Sequence, residues 1–462
     1  MTEGLRNIIA YRQGSGPPVN SPPLSVVPSA EELQEGGENP HKPIKGWFKP
    51  TRVNSIEQMG LSNGLLQDLV LKALYQRGQV TPAELVRWLK IPFYGVMEGV
   101  LRDLSNQELC FVAAGQNMNA MTYIYAITAQ GQERAREVSE RNAYVGPAPV
   151  SLAHYWQSVG APSLDAVAVH ESDLRAAFNG MVVDESLFEQ LGPAANSARA
   201  MFLYGSPGNG KTAIAETLVR LLGGDVYIPY AIEANGEIIR VFDPVHHTIA
   251  NTAHPESPDD PRWVFTKRPV VTVGGELTLQ TLDLIYNDQS RYYEAPFQLK
   301  ANNGAFFIDD FGRQQVSPQD LLNRWIVPLE KRVDYLTLRT GQKLEVPFET
   351  LIIFSTNLDP RDLVDEAFLR RIRYKIEVKS PTPEQYRTIF KSVCTAKGLI
   401  YDDSLVDFLL GEKYPMLGIE PRAVHPRDLI DQVLDYCHYR QTEPVLTREA
   451  LEVACMNYFV AF

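Results

Sequence analysis

Cysteine is scarce in this chain. Only four of its 462 residues are cysteines (Cys110, Cys394, Cys437 and Cys455), and no two form a C-x-x-C pair. Such spacing offers neither a zinc site nor a disulfide framework, and it suits a reducing cytoplasm. No run approaches the roughly 20 apolar residues that a bilayer span needs, and the N-terminus lacks the charged start and apolar core of a secretory signal. Membrane insertion is therefore not expected. Positive charge is in deficit as well: 44 Lys and Arg against 56 Asp and Glu leave a net charge of -12. That balance gives no global attraction to nucleic acid or to an anionic surface, so any such binding has to come from a local patch. No internal repeat is visible.

The rest of the composition is that of a globular protein with length for roughly three domains. Pro, Gly, Ser and Glu dominate "GSGPPVNSPPLSVVPSAEELQEGGENPHKP", so residues 1–50 read as a disordered tail that buries little apolar surface. Folded pattern begins near Leu61. "GLLQDLVLKALYQRG" sets Leu66, Leu69, Val70 and Ala73 on one helical face and stops at Gly78. "TPAELVRWLK" opens with Thr81 as N-cap, Pro82 at the first helical position and Glu84 completing a capping box. A third helix is read over "FYGVMEGVLRDLS". Two strands follow, "ELCFVAAG" and "MTYIYAIT", about the turn "GQNMN", and then the polar helix "AQGQERAREVSER". Three helices with a two-stranded wing resemble a winged-helix domain, assigned to 51–142. Such domains often bind DNA, yet residues 61–142 hold eight Lys or Arg against eight Asp or Glu, and Arg102 lies between Glu98 and Asp103. Phosphate neutralisation supplies most DNA affinity, so a protein-docking module is favoured over a DNA reader. Residues 143–175, with "YVGPAPVSLAHYWQS" from Tyr144, read as a Pro-containing linker.

The most informative segment is "MFLYGSPGNGKTAIAETLVRLLGG". An apolar strand runs into Gly205, Ser206, Pro207, Gly208, Asn209, Gly210, Lys211 and Thr212. A helix then begins with Ala213 in its first turn and carries Ile214, Leu218, Leu221 and Leu222 on one face. This is G-x-x-x-x-G-K-[ST] between a strand and a helix, the setting of a phosphate-binding loop. Glycines let backbone N–H groups converge on phosphates, and the helix N-terminus adds its positive end. Lys211 is expected to reach the β- and γ-phosphates of ATP, and the Thr212 hydroxyl to ligate Mg²⁺.

"AFFIDDFGR" ends a buried strand in two adjacent carboxylates, Asp309 and Asp310. Alone, the pair is ordinary turn chemistry. With a phosphate loop in the chain, both strands deliver their ends to one edge of a parallel sheet. Asp309 then holds Mg²⁺ through water, and Asp310 orients or deprotonates the attacking water.

These segments resemble the AAA+ ATPases over roughly residues 176–440. "GSPGNGKT" is similar to their Walker A, "FFIDD" to their Walker B and "LIIFSTNLDP" to their sensor-1 strand. The resemblance implies an α/β core at 176–380, a parallel sheet sandwiched by helices, with a helical lid at 381–462. It places Asn357 near the γ-phosphate and an arginine finger in "DEAFLRRIRYKIEV", where Arg371 fits the pattern better and Arg370 competes. In "HPRDLIDQVLDYC", Pro426 suits the first helical turn, putting Arg427 at the mouth of a sensor-2 helix. "FNGMVVDESL" lies where the family contacts adenine, which makes Val182 and Val183 candidates.

"RVDYLTLRTGQKLEVPFETLIIFSTN" reads as two alternating strands around "TGQ" leading into sensor 1. It resembles the pre-sensor-1 hairpin branch, with its MoxR-type and magnesium-chelatase-type ATPases. A second hairpin-like stretch is "VYIPYAIEANGEIIRVF". After it come His246 and His247, for which solvent or structural roles are expected, since adjacent strand residues point to opposite faces. One residue departs from the family: where most members have Glu after the Walker-B Asp, this chain has the shorter Asp310. The resemblance implies a ring, expected to be a hexamer, that hydrolyses Mg-ATP to remodel or assemble a protein partner held by the N-terminal domain. The alternatives are a DNA-associated winged-helix ATPase or motor and a slowly hydrolysing, ATP-gated scaffold.

Overall fold

The computed structural model describes residues 48–115, 119–161, 169–250 and 259–459. The expected tail at 1–50 lies outside them except for its last three residues. Of those, Phe48 packs on Trp263 at a ring distance of 5.2 Å, and Pro50 is buried. Those residues belong to the folded body.

The centre is a five-stranded parallel sheet. Its strands, in chain order, are β1 (Met201–Tyr204), β2 (Val270–Val273), β3 (Ala305–Ile308), β4 (Leu351–Thr356) and β5 (Tyr374–Glu377). In space they run β2-β3-β4-β1-β5. Both faces are covered, so the strands read as continuous apolar runs. Met201, Leu203, Phe307 and Ile353 pack with Ile214 and Leu218 of the helix after the phosphate loop. Phe202, Phe306, Ile308 and Phe354 pack with Leu321 and Trp325 of the helix Pro318–Lys331. Helices on two sides of a parallel sheet are the expected α/β core. Beyond it, the helices Pro383–Ala396, His425–Arg440 and Arg448–Tyr458 close around a separate apolar cluster, giving the expected helical C-terminal region.

The N-terminal unit follows its reading with two differences. The helix Asn63–Arg77 is capped by Gly78, and Thr81 and Glu84 form the capping box. The third helix does not start at Phe93, because Tyr94 is extended and Gly95 has φ +78°; helix continues only past that kink, through Glu98–Asn106. The wing has a third strand, Gln79–Val80, paired with Ile124–Ile127, whose other edge carries Cys110–Ala114.

Within the expected linker, residues 150–160 are structured. Val150–Ser151 is a strand paired in parallel with Ile232–Glu233, and Leu152–Gly160 is a helix that buries Tyr155 and Val159. That strand lies at one edge of a second, mixed sheet. The sheet also holds Ala231–Ala234 and Glu237–Arg240, which form a hairpin about Asn235–Gly236. The first part of "VYIPYAIEANGEIIRVF" pairs elsewhere, Asp225–Pro229 lying antiparallel to Trp263–Lys267. Val333–Thr337 and Lys343–Pro347 form the hairpin expected before β4, with Leu336, Leu344 and Val346 buried in the cluster beneath the second sheet.

The N-terminal unit and this body share a core: Ala231 and Ile238 are buried in the same cluster as Leu66, Leu74 and Val100. Arg262, 1% exposed, is paired with Asp260 and donates to the carbonyls of Met59 (3.3 Å) and Pro149 (3.0 Å). Removing one partner of such a pair leaves a buried charge uncompensated, so this arginine pins three segments at one point. No described helix is long and apolar enough to cross a membrane.

Candidate functional site

The loop between β1 and the helix Lys211–Leu221 reaches its helix through Gly210, at φ +88°. A Cβ built there would meet no atom within 4 Å, so the space beside Gly210 is open, and no side chain caps the helix N-terminus that follows. Backbone N–H groups at such an end attract anions.

Five side chains from three segments converge on this loop. Lys211, 7% exposed, donates to the carbonyls of Gly205 (2.8 Å) and Ser206 (3.1 Å) and to Oδ1 of Asn357 (2.6 Å). Asn357 follows β4, and its Nδ2 donates to Asp310 (3.1 Å). Thr212 Oγ1 donates to Asp309 Oδ2 (3.1 Å), and Asp309 Oδ1 accepts the Asp310 N–H (3.0 Å). The order β3-β4-β1 explains the convergence, since β4 separates the loop strand from the acid strand and Asn357 spans the gap. Burial lowers the Lys211 pKa from the usual lysine range; Asp309 and Asp310 oppose that shift, and Arg422 reinforces it.

Asp310 itself adopts φ +49°. Asp and Asn enter this left-handed region far more readily than longer side chains. The backbone thus supplies a reason for Asp at this position.

The helical C-terminal region meets the loop through a turn the sequence did not single out. The Val424 N–H donates to the Gly208 carbonyl (2.9 Å) and the Ala423 N–H to Asn209 Oδ1 (3.3 Å), while Asn209 Nδ2 donates to Ser380 (3.3 Å). Arg422 begins this turn and is part-buried. Arg427, expected at the mouth of the helix, is exposed and pairs with the neighbouring Asp428 (3.0 Å). The helix starts at His425, and Arg422, just before it, lies against the loop, its Cδ 3.9 Å from where a Cβ on Gly208 would stand. A signal was available in "GIEPRAVHPRD", where Pro421 and Pro426 bracket a short turn.

Val182 and Val183 line a cleft of about 290 Å³ with Asn209, Ile214, Val378 and Ala423, beside the loop. Pro207 and Ala213 are exposed on it. Arg370 pairs with Glu366 (2.7 Å) and Arg371 with Glu330 (2.6 Å); neither takes part in the bonds that join Lys211, Thr212, Asp309, Asp310 and Asn357. His247 is structural. Its Nδ1 accepts the Asp243 N–H (2.9 Å), which leaves Nε2 to donate to the Lys300 carbonyl (2.9 Å). Gln314 went unassigned in the sequence, although it bonds to the turn that carries both acids.

A domain of unknown function, DUF8689, matches residues 382–457, the helical C-terminal region. Comparison with curated protein sequences gives no match. Among solved structures, the chain is similar to NtrX from Brucella abortus at 16% identity and a TM-score of 0.38, covering 62% of this chain and 57% of that one. NtrX in complex with ATP is similar at 15% identity and a TM-score of 0.37, over 62% and 59%. The Thermotoga maritima RuvB Holliday junction branch migration motor is similar at 14% identity and a TM-score of 0.34, over 61% and 72%. The chain thus spans less than two thirds of the NtrX chains it matches. The functional reading rests on this chain's own side chains.

Proposed function

We propose that this protein is an ATPase of the AAA+ type that binds Mg-ATP at the loop 205–213 and couples its hydrolysis to remodelling or assembly of a protein partner. One observation carries the reading: Lys211, Thr212, Asp309, Asp310 and Asn357, drawn from three separate segments, form one hydrogen-bonded set around an open helix N-terminus. The donor set fits the proposed ligands. A buried ammonium and uncapped N–H groups suit phosphate oxygens, and a hydroxyl facing a carboxylate suits a hard divalent cation.

In this reading ATP supplies the phosphoryl group and Mg²⁺ the charge that offsets its oxygens. Lys211 exchanges the Gly205 and Ser206 carbonyls for phosphate. Thr212 and Asp309 hold the cation, and Asp310, held by Asn357, takes or orients a proton of the attacking water. Arg422 approaches from the helical C-terminal region. Arg371, or its neighbour Arg370, serves the site of the next subunit in a ring, expected to be a hexamer. The hairpin Val333–Pro347 directly before β4 supports the pre-sensor-1 branch, and the charge balance of the N-terminal unit supports a protein partner there over nucleic acid. A second reading, an ATP-gated scaffold that hydrolyses slowly, is favoured by Asp310, whose carboxylate stands one methylene further back than a glutamate's.

Titration calorimetry tests the site. Lys211→Ala is expected to abolish ATP binding, because phosphate charge in the loop is left uncompensated. Unchanged affinity would refute the assignment.

A further inference from the structure

We infer that Gln314 is a positioning residue for the metal-binding and water-orienting acids. The inference rests on the nucleotide site proposed above. Asp309 and Asp310 leave β3 in a tight turn, and Asp310 stands in the left-handed region. The amide of Gln314 closes that turn from outside the Lys211–Asn357 set: Nε2 donates to the carbonyls of Asp309 (2.9 Å) and Asp310 (3.1 Å), and Oε1 accepts the Gly312 N–H (2.8 Å). One part-buried side chain thus bonds to three backbone groups across four residues, the Asp310 carbonyl also accepting the Arg313 N–H (3.0 Å).

The geometry is directional. Each acid has its carbonyl tied to the same amide, so the backbone positions that carry the two carboxylates are held relative to each other. Thr212 and Asn357 fix the carboxylate ends of the two acids, and Gln314 fixes their backbone ends. Without it, the acids keep their chemistry and lose their aim. Outer residues of this kind typically contribute about 10- to 100-fold to metal affinity or activity, and small displacements of reacting groups cost about 10²-fold in rate.

The test uses the full chain with Gln314→Met, which keeps length and removes all three bonds, and Gln314→Glu, which keeps the acceptor for Gly312 and loses the two donors. ATP affinity is measured by calorimetry with and without Mg²⁺, alongside turnover. Both variants are expected to match the parent without metal, to lose about tenfold or more of the affinity gained from Mg²⁺, and to lose turnover at saturating ATP. Metal-free binding also shows that each variant is folded. Mg²⁺-dependent affinity at the parental level in Gln314→Met, or a loss in Gln314→Met that Gln314→Glu fully restores, would overturn the role, the second by showing that Gly312 alone matters. A parent whose ATP binding survives Lys211→Ala would instead sink the nucleotide site, and the two failures are read from different titrations.

Discussion

At Asp310 charge and backbone conformation can be tested separately. Asn tolerates φ +49° as well as Asp does, so Asp310→Asn removes the carboxylate and leaves the turn intact. ATP is expected to stay bound while turnover stops; hydrolysis at the parental rate would show that this acid does not orient the water. Asp310→Glu installs a longer acid but strains the backbone by on the order of 1 kcal/mol, so a lower melting temperature is expected instead of a simple gain in rate. Arg422 and Arg427 form a second contrast. Arg422→Ala should weaken ATP affinity or turnover by about tenfold, the worth of one charge-assisted hydrogen bond, with Arg427→Ala near the parent. The reverse order in paired kinetics would return the role to the helix itself.

Among the elements, the turn Asp243–His247 makes a pH prediction. Burial pushes the His247 pKa down to about 4, with the Lys300 carbonyl bond opposing. The unfolded imidazole takes its proton near 6.5, so stability is fully present above that pH. It falls as the pH drops toward about 4, by at most about 3 kcal/mol from this residue. Urea midpoints measured from pH 7 to 4 should decline less in His247→Gln than in the parent, and parallel profiles would exclude the histidine. How much the sequence reveals also differs by element. The hairpin before β4 was legible because it runs long enough to show its alternation, and the helix Asn63–Arg77 through its apolar content and its stop at Gly78, although its burial runs round to Leu71, Lys72 and Leu74. Gln79–Val80 and Val150–Ser151 span two residues and carry no period, so their pairing, and with it the strand and helix at Val150–Gly160, was hidden. The loop, the acids and Asn357 were legible through spacing. Arg422 was not, because the register of the helix after it depends on packing against Gly208 and Asn209.

For the whole molecule, the proposed ring requires Arg371 to leave Glu330 of its own chain and face a neighbour's phosphate. Comparable arginines contribute about 10³ to 10⁵ in rate. Arg371→Ala should therefore cripple hydrolysis with ATP affinity nearly intact. Adding excess Lys211→Ala subunits, which keep Arg371, should raise turnover per Arg371→Ala subunit. If an oligomeric preparation shows no such rescue, and Arg370→Ala shows none either, the shared site fails. The shared core also changes what truncation can show. Removing residues 1–142 would bare Ala231 and Ile238, so the N-terminal unit is no separable attachment.

That shared core bears on how the chain is made. The N-terminal unit is complete in sequence by residue 142, yet the hairpin that seals its apolar face ends at Arg240. Translation at about 5–20 residues per second leaves that face uncovered for roughly 5–20 s. A nascent chain halted between the two points should be open to proteolysis and attractive to chaperones, and one halted beyond Arg240 should be protected. The first part of the protein to be synthesised thus has its core completed by two side chains from the middle, Ala231 and Ile238.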